Sequence, residues 1–322
     1  MTVFRRIART VASFPSAFSE RSAIHPQFSL HQMITLQAPA KINLYLKILG
    51  RRPDGYHELE TLMQKVALYD ELELSLADKP GISLSCPGTD LPKDEQNIAF
   101  RAARLFLAHS GKENQGLQII LHKRIPMAAG LGGGSSDAAA VLKGLNQLLA
   151  AGCSAEELAE MGLQLGADVP LFIYDYPAAW ATGIGERLEA AAPLRGCKVL
   201  LVNPGIAVST KWAYQTFAQI SGRIALTEAA APFTLSNPLS QAQRHLPPEL
   251  FNDLEAVTAA RHSTISTLKK RLLAAGAKGA LMSGSGSTVF GLFADHTAKQ
   301  AEQCCHELKK EYGQTFLVAP LL

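Results

Sequence analysis

Apolar and polar side chains alternate over residues 42–49, in the order Ile-Asn-Leu-Tyr-Leu-Lys-Ile-Leu. A period of two predicts a strand. Strand patterns also start at Met33 (Met-Ile-Thr-Leu-Gln-Ala) and cover residues 59–66 and 72–76, with Arg51-Arg-Pro-Asp-Gly55 as a turn. Residues 80–94 are rich in Pro, Gly and Asp and are predicted as loop. Residues 97–109 place Phe100, Ala103 and Leu107 at helical spacing, 118–122 form a short strand, and a helix over 137–150 ends near Gly152. Ser154 caps another helix, with two glutamates in its first turn. Gly166-Ala-Asp-Val-Pro170 breaks that pattern and leads into Leu171-Phe-Ile-Tyr174. Two short strands surround Gly183-Ile-Gly185, and a buried strand covers 198–202. Helices fall near 209–221, 249–259 and 264–275, a strand pair flanks Ser283-Gly-Ser-Gly-Ser287, and a last helix lies near 297–311. Strands and helices mixed without strict alternation predict an α+β fold in two lobes, residues 33–192 and 193–322.

One segment breaks with this ordinary patterning. From Pro126 the chain reads Pro-Met-Ala-Ala-Gly-Leu-Gly-Gly-Gly-Ser-Ser, with four glycines at Gly130, Gly132, Gly133 and Gly134. Glycine costs conformational entropy, so such density needs a physical reason. Close approach of backbone N–H groups to an anion is one, and a helix starting at about Ser135 would aim its free N–H groups at the same place. The segment reads as a phosphate cradle. No lysine precedes the serines, so it is not the lysine-bearing P-loop. Ser135 stands where the dinucleotide fingerprint has its third glycine, so hydride transfer is unsupported.

Bulk properties narrow the class. Hydrophobic residues make up 47% and charged residues 18%, which fits a globular chain. The formal charge is +3 and the 31 basic residues are scattered, so nucleic acid is not an expected partner. Five cysteines (Cys86, Cys153, Cys197, Cys304, Cys305) without a Cys-x-x-Cys pair argue for reduced thiols, and no apolar run reaches membrane-spanning length. A cytoplasmic monomer or weak homodimer is expected. Residues 1–32 hold Arg5, Arg6, Arg9 and Arg21, five serines and one acid, Glu20. They read as a disordered leader, an organellar transit peptide, or translation from a start upstream of Met33.

Other segments carry candidate chemistry. Lys41 and Asn43 share one face of the first strand, which suits an anion or a hydroxyl, although on its own the pair reads first as an exposed strand face. Tyr56 and His57 follow the Asp54-Gly turn, where packing is the ordinary role. Asp168, between Gly166 and Pro170, has the position of a cap or turn residue.

Taken together, in order and content, these segments resemble the GHMP family of small-molecule kinases. The carrying residues are Pro39-Ala-Lys-Ile-Asn-Leu44, Arg52-Pro-Asp-Gly-Tyr-His-Glu58, Pro126 to Ala139, Gly166-Ala-Asp-Val-Pro170 and Ser283-Gly-Ser-Gly-Ser287. The resemblance spans Met33 to the C-terminus. It implies a two-lobed fold, with an N-terminal lobe like ribosomal protein S5 and a ferredoxin-like C-terminal lobe. It implies phosphoryl transfer from ATP, with Mg2+, to a hydroxyl of a cytidine diphosphate-bearing alcohol used for isoprenoid precursors.

The resemblance also distributes roles. Asp168 would accept the hydroxyl proton, and Lys41 would favour the alkoxide-like transition state. Pro126, Met127, Ala128, Ala129, Gly130, Leu131, Gly132, Gly133, Gly134, Ser135 and Ser136 would wrap the triphosphate, with Ser136 touching the metal. Lys123 would reach a phosphate or the adenine side, and Asn97 lies where the family has an adenine-contacting amide. Asn43, Tyr56 and His57 would select the cytidine end, with Tyr214 or Trp212 as a second aromatic face. The rival readings are another GHMP kinase (for homoserine, mevalonate or a sugar), the decarboxylase branch of the superfamily, and a silent nucleotide-binding protein.

Overall fold

The computed structural model describes residues 33–221 and 249–322. The leader at 1–32 therefore lies outside the described residues. The chain opens with two long antiparallel strands, β1 (Met33–Arg51) and β2 (His57–Ala77), joined by the predicted turn. Then come β3 (Gly81–Ser85), α1 (Ile98–His109), β4 (Gly116–His122), α2 (Gly133–Leu148), α3 (Ala155–Leu165), α4 (Val169–Ile173), β5 (Ala178–Thr182) and β6 (Arg187–Ala191). The second half holds β7 (Cys197–Asn203), α5 (Thr210–Ser221), β8 (Phe251–Asn252), α6 (Asp253–Arg261), α7 (Thr264–Ala274), β9 (Gly279–Met282), β10 (Val289–Ala294), α8 (Ala298–Glu311) and β11 (Gln314–Val318).

Two sheets result. One runs β3-β4-β2-β1-β8, with β5 pairing β2 and β6 pairing β5; the other runs β11-β7-β10-β9. β1 ties the molecule together, because its buried side chains feed three cores in turn. Ala38 packs with the N-terminal helices, Ala40, Ile42 and Leu44 pack with Leu201 and Phe290 between the sheets, and Leu46 and Ile48 pack with α5 to α8. Each of the leucines and isoleucines among them contributes about 1.5–3 kcal/mol of burial. A strand covered on both faces leaves little of itself in water, and Lys41 and Asn43 are themselves buried. The exposed-face reading of this strand is thereby corrected.

Local chemistry explains the element ends. Asn97 caps α1 by accepting from Ala99 N at 3.0 Å. The buried stripe of α1 is Ala99, Ala102, Ala103, Phe106 and Leu107, with Phe100 only half-buried beside it. Ser154 and Glu157 form a reciprocal capping box on α3.

Five expectations change. Residues 59–76 belong to one continuous strand, not two, and the predicted loop 80–94 contains β3, held by parallel pairing to β4. α2 begins at Gly133, two residues before the expected Ser135. The helix expected near 249–259 starts only at Asp253, because Phe251 and Asn252 pair with β1 and Asn252 caps α6. The C-terminal strand β11 was not anticipated. No helix among the described residues is long and apolar enough to cross a membrane.

Candidate active site

A cleft of about 1560 Å3 opens where the glycine loop, the β1–β2 hairpin, α4, α5 and the Ser283–Ser287 loop meet. That exceeds the ~300–1,000 Å3 of an ordinary single-ligand pocket, and leaves room for two ligands side by side. At its floor Lys41 is 4% exposed. Its Nζ donates to Asn43 Oδ1 at 2.6 Å and stands 3.4 Å from Asp168 Oδ2. Asn43 is itself fixed: its Nδ2 donates to Thr61 Oγ1 at 2.8 Å, and Thr61 donates to Tyr45 O at 2.6 Å. With Nδ2 so engaged, only the carbonyl end of Asn43 can face the ammonium. Asp168 sits at the N-cap position of α4, yet its side chain makes no capping bond. Its carboxylate is 36% exposed and faces the cleft residues instead of its own helix.

The glycine loop is stitched to this floor by backbone. Lys41 N donates to Leu131 O at 2.9 Å, Asn43 N donates to Ser283 Oγ at 3.2 Å, and Ser283 Oγ donates to Gly130 O at 2.9 Å. Gly130 holds φ +78, and a β-carbon there would overlap the Ser283 carbonyl. At Gly132, with φ +70, a β-carbon would come within 3.0 Å of both Lys41 Cγ and Phe172 Cζ. Only glycine fits either place. α2 then starts at Gly133, so its first N–H groups open onto the cleft at the loop.

At the other end, Arg52 pairs with Asp54 and Glu58, and Tyr56 N donates to Asp54 Oδ1 at 3.1 Å, which holds the turn. Tyr56 is 60% exposed. The His57 ring lies 5.2 Å from the Tyr214 ring at a 30° tilt. His57 Nε2 is buried without a partner. Burial and the charge of Arg51 push its imidazole below the usual range, so it is neutral at pH 7. Burial and the charge of Asp168 push the Tyr214 phenol up. Trp212 stacks under Arg261 instead, at 4.8 Å, and does not line the cleft. Of the two aromatic candidates, Tyr214 is the one that faces it.

The cleft gathers Pro126 to Ser135 together with Lys41, Asn43, Tyr56, His57, Asn97, Lys123, Asp168 and Tyr214. Ser136 is the exception. It is 1% exposed, its hydroxyl is enclosed without a partner, and it lies on the far side of α2, so the expected metal contact at Ser136 is corrected. Ser135 is the hydroxyl on the cleft.

Two other expected contacts have prior engagements. Asn97 spends its amide on the α1 cap, on Pro92 O at 2.9 Å and on Cys86 Sγ. Lys123 is clamped between Asp70 and Asp137, and Asp70 also accepts from Ile125 N at 2.8 Å. Burial and the neighbouring Asp70 push the Asp137 carboxyl up, opposed by Lys123, while its two carboxylates hold Lys123 above the ordinary lysine value.

Sequence reasoning missed Thr61 and the α5 residues Lys211, Gln215 and Gln219, all on the cleft. The spacing of the last three, i, i+4 and i+8 on one helix face, was the available signal. Among the described residues no cluster of three metal-ligating side chains occurs.

Comparison with known proteins adds an independent line. Residues 97–176 match the family described as GHMP kinases N terminal domain, and residues 234–314 match GHMP kinases C terminal. The 4-diphosphocytidyl-2-C-methyl-D-erythritol kinase of Geobacter sp. (strain M21) is 49% identical over 280 residues, covering 87% of this chain and 96% of the relative. That of Syntrophotalea carbinolica is 49% identical over 272 residues, covering 84% and 94%. A crystal structure of 4-(cytidine 5'-diphospho)-2C-methyl-D-erythritol kinase superposes with TM-score 0.71 at 33% identity, over 89% of this chain and 99% of that one. Homoserine kinase from Cytophaga hutchinsonii, at 21% identity and TM-score 0.63 over 91% and 96%, shares the fold.

Proposed function

We infer the working of the cleft from one premise: the chain belongs to the GHMP kinase family and, within it, to the 4-diphosphocytidyl-2-C-methyl-D-erythritol kinases. It transfers the terminal phosphoryl group of ATP to a hydroxyl of 4-diphosphocytidyl-2-C-methyl-D-erythritol, the 2-hydroxyl, in the formation of isoprenoid precursors. The observation that carries the assignment of roles is the buried Lys41 ammonium between the Asn43 carbonyl and the Asp168 carboxylate, directly under the glycine loop.

Phosphoryl transfer of this kind depends on positioning and on neutralising charge. Gly130 to Ser135 hold the triphosphate by backbone N–H groups, in a loop path that β-carbons at Gly130 and Gly132 would break by meeting Ser283, and Lys41 with Phe172. The acceptor hydroxyl lies beside Asp168, whose carboxylate accepts its proton, a contribution of about 10²–10⁴-fold. Lys41, aimed by Asn43 and Thr61, stabilises negative charge on the attacking oxygen. His57 and Tyr214 hold the cytosine end. A neutral imidazole can donate or accept there, and the tilted ring pair supplies a flat face.

Magnesium suits the donors on the cleft, since it is commonly bound by one or two protein oxygens plus substrate phosphates. Ser135 and Asp168 would be those oxygens here. Such an ion would supply neutralisation of phosphate charge.

The test is turnover. Purified protein with ATP and Mg2+ is offered 4-diphosphocytidyl-2-C-methyl-D-erythritol beside homoserine, mevalonate and galactose, and ADP release is followed. Release with the cytidylated alcohol alone is expected. Release only with one of the others overturns the reading.

A further inference from the structure

Behind the glycine loop, on the opposite side of α2 from the cleft, lies a second cavity of about 390 Å3. Ser136, Ala140 and Lys143 recur at i, i+4 and i+7 and present one face of α2 to it. Lys65 from β2 and Phe172 from α4 complete its working walls. We propose that this cavity is a second binding site, that it takes a short alkyl chain ending in a phosphate, and that its occupancy alters catalysis through Phe172.

Three observations define the ligand. First, the Ser136 hydroxyl is enclosed and has no partner, although buried polar groups are nearly always paired. Second, Lys65 is 6% exposed, and its Nζ donates to Tyr174 O at 2.7 Å and stands 5.9 Å above the Phe172 ring. An ammonium has three protons to donate, and among the described residues no ion pair reaches this one. Burial, with the charge of Lys143, pushes it down to about 8 despite Asp175. Lys143 stands at the mouth, bonded to the exposed Asp175 at 2.9 Å. Lys65 and Lys143 bring two positive charges to the walls, Asp175 brings a negative one, and Leu322 lines the same cavity. Third, the remaining wall is largely apolar, from Leu36 and Pro39 to Phe172. Phosphate oxygens satisfy Lys65 and the Ser136 hydroxyl, and a short alkyl chain fills the rest. The volume falls in the range of small-ligand pockets, roughly 300–1,000 Å3.

The link to catalysis is steric. Phe172 is one helical turn beyond Asp168. Its ring tip and Lys41 Cγ both lie 3.0 Å from where a β-carbon of Gly132 would sit. The cavity and the cradle thus share one tightly packed side chain, and such packing transmits displacement.

The probe is butyl phosphate, titrated calorimetrically into the full chain saturated with a non-hydrolysable ATP analogue. Inorganic phosphate and 1-butanol run alongside. Saturable one-to-one binding is expected with the analogue present, at least ten-fold tighter than inorganic phosphate. Lys65→Met should weaken it at least ten-fold. Ala140→Leu, which fills the cavity and leaves Lys65 in place, should abolish it. Lys143→Gln, at the exposed mouth where folding is not at stake, should weaken it several-fold. Bound butyl phosphate should change kcat at least two-fold with KM for ATP unchanged. Displacement by the ATP analogue, equal affinity for inorganic phosphate, no saturation, or undiminished binding in both lysine variants overturns the proposal. An unaltered kcat overturns its coupling to Phe172. The binding readout stands whichever alcohol the kinase accepts.

Discussion

Gly130→Ala and Gly134→Ala are expected to move stability in opposite directions, although the two glycines are four residues apart in one loop. Gly130 sits at φ +78, and its β-carbon would overlap the Ser283 carbonyl oxygen and come within 2.9 Å of the carbonyl carbon. Backbone stands on both sides, so no rotamer change relieves the overlap. The left-handed backbone costs an alanine about 1–2 kcal/mol. Overpacking adds about 1–3 kcal/mol. The Ser283 Oγ bond to Gly130 O, worth about 1 kcal/mol, is strained or lost as well. The sum is about 3–6 kcal/mol, or a fall in Tm on the order of 10 °C at ~2–4 °C per kcal/mol. Gly134 lies in the first turn of α2, and its β-carbon would meet only Ile98 Cγ2 at 3.5 Å, an ordinary contact. Alanine there gains about 0.5–1 kcal/mol. Its methyl nevertheless faces the cleft, where a triphosphate must approach the backbone. KM for ATP should rise at least ten-fold, about 1.4 kcal/mol, while the urea midpoint holds or increases. Urea unfolding and initial rates over an ATP series measure both. A Gly134→Ala enzyme with unchanged KM for ATP refutes the phosphate cradle, and a Gly130→Ala protein as stable as the parent refutes the loop-to-loop packing.

Asp168→Asn should lower kcat by about 10²–10⁴-fold while ATP affinity stays within a factor of ~3, measured by single-turnover kinetics and nucleotide titration; a parental kcat contradicts the base assignment. Lys123→Met leaves Asp70 and Asp137 buried together without their cation, and should cost about 3–5 kcal/mol in urea unfolding, partly restored by adding Asp137→Asn. The Lys65 amine, at about 8 when folded against ~10.5 when unfolded, carries a stability penalty that is full below pH 8. The penalty lifts as pH rises from about 8 to 10.5, so stability relative to Lys65→Met should increase by up to roughly 3 kcal/mol over that window. A flat difference between the two proteins from pH 7 to 10 rules out the depressed value.

Periodicity revealed the elements whose burial is regular. β7, α1, α3 and α8 follow a plain period of two or 3.6, and their limits fall close to the expected ones. The pattern failed where tertiary contacts overrule it. β2 looked interrupted because Asp70, an acid in mid-strand, breaks the alternation. It is fully buried, and Lys123 and the Ile125 N–H satisfy it from elements distant in sequence. β3 and β11 are five-residue edge strands held mainly by one neighbour, a pairing that no local window contains. Residues 251–252 read as helix, but Tyr45 and Leu46 supply them with a parallel ladder.

The chemistry was legible in residue types, and its orientation was not. Lys41, Asn43 and Asp168 announce themselves by resemblance, but that Asn43 offers its carbonyl follows only from Thr61 holding the amide. The serine pair makes the same point more sharply. Adjacent helical residues point about 100° apart, so Ser135 and Ser136 face different surroundings. Starting α2 at Gly133 turns Ser135 to the cleft and Ser136 into the row with Ala140 and Lys143. That row was visible in the sequence as a spacing of i, i+4 and i+7, and following it would have taken Ser136 off the cleft and left Ser135 as its hydroxyl. It would also have put a hydroxyl and a lysine on one face of α2, the face that borders the second cavity.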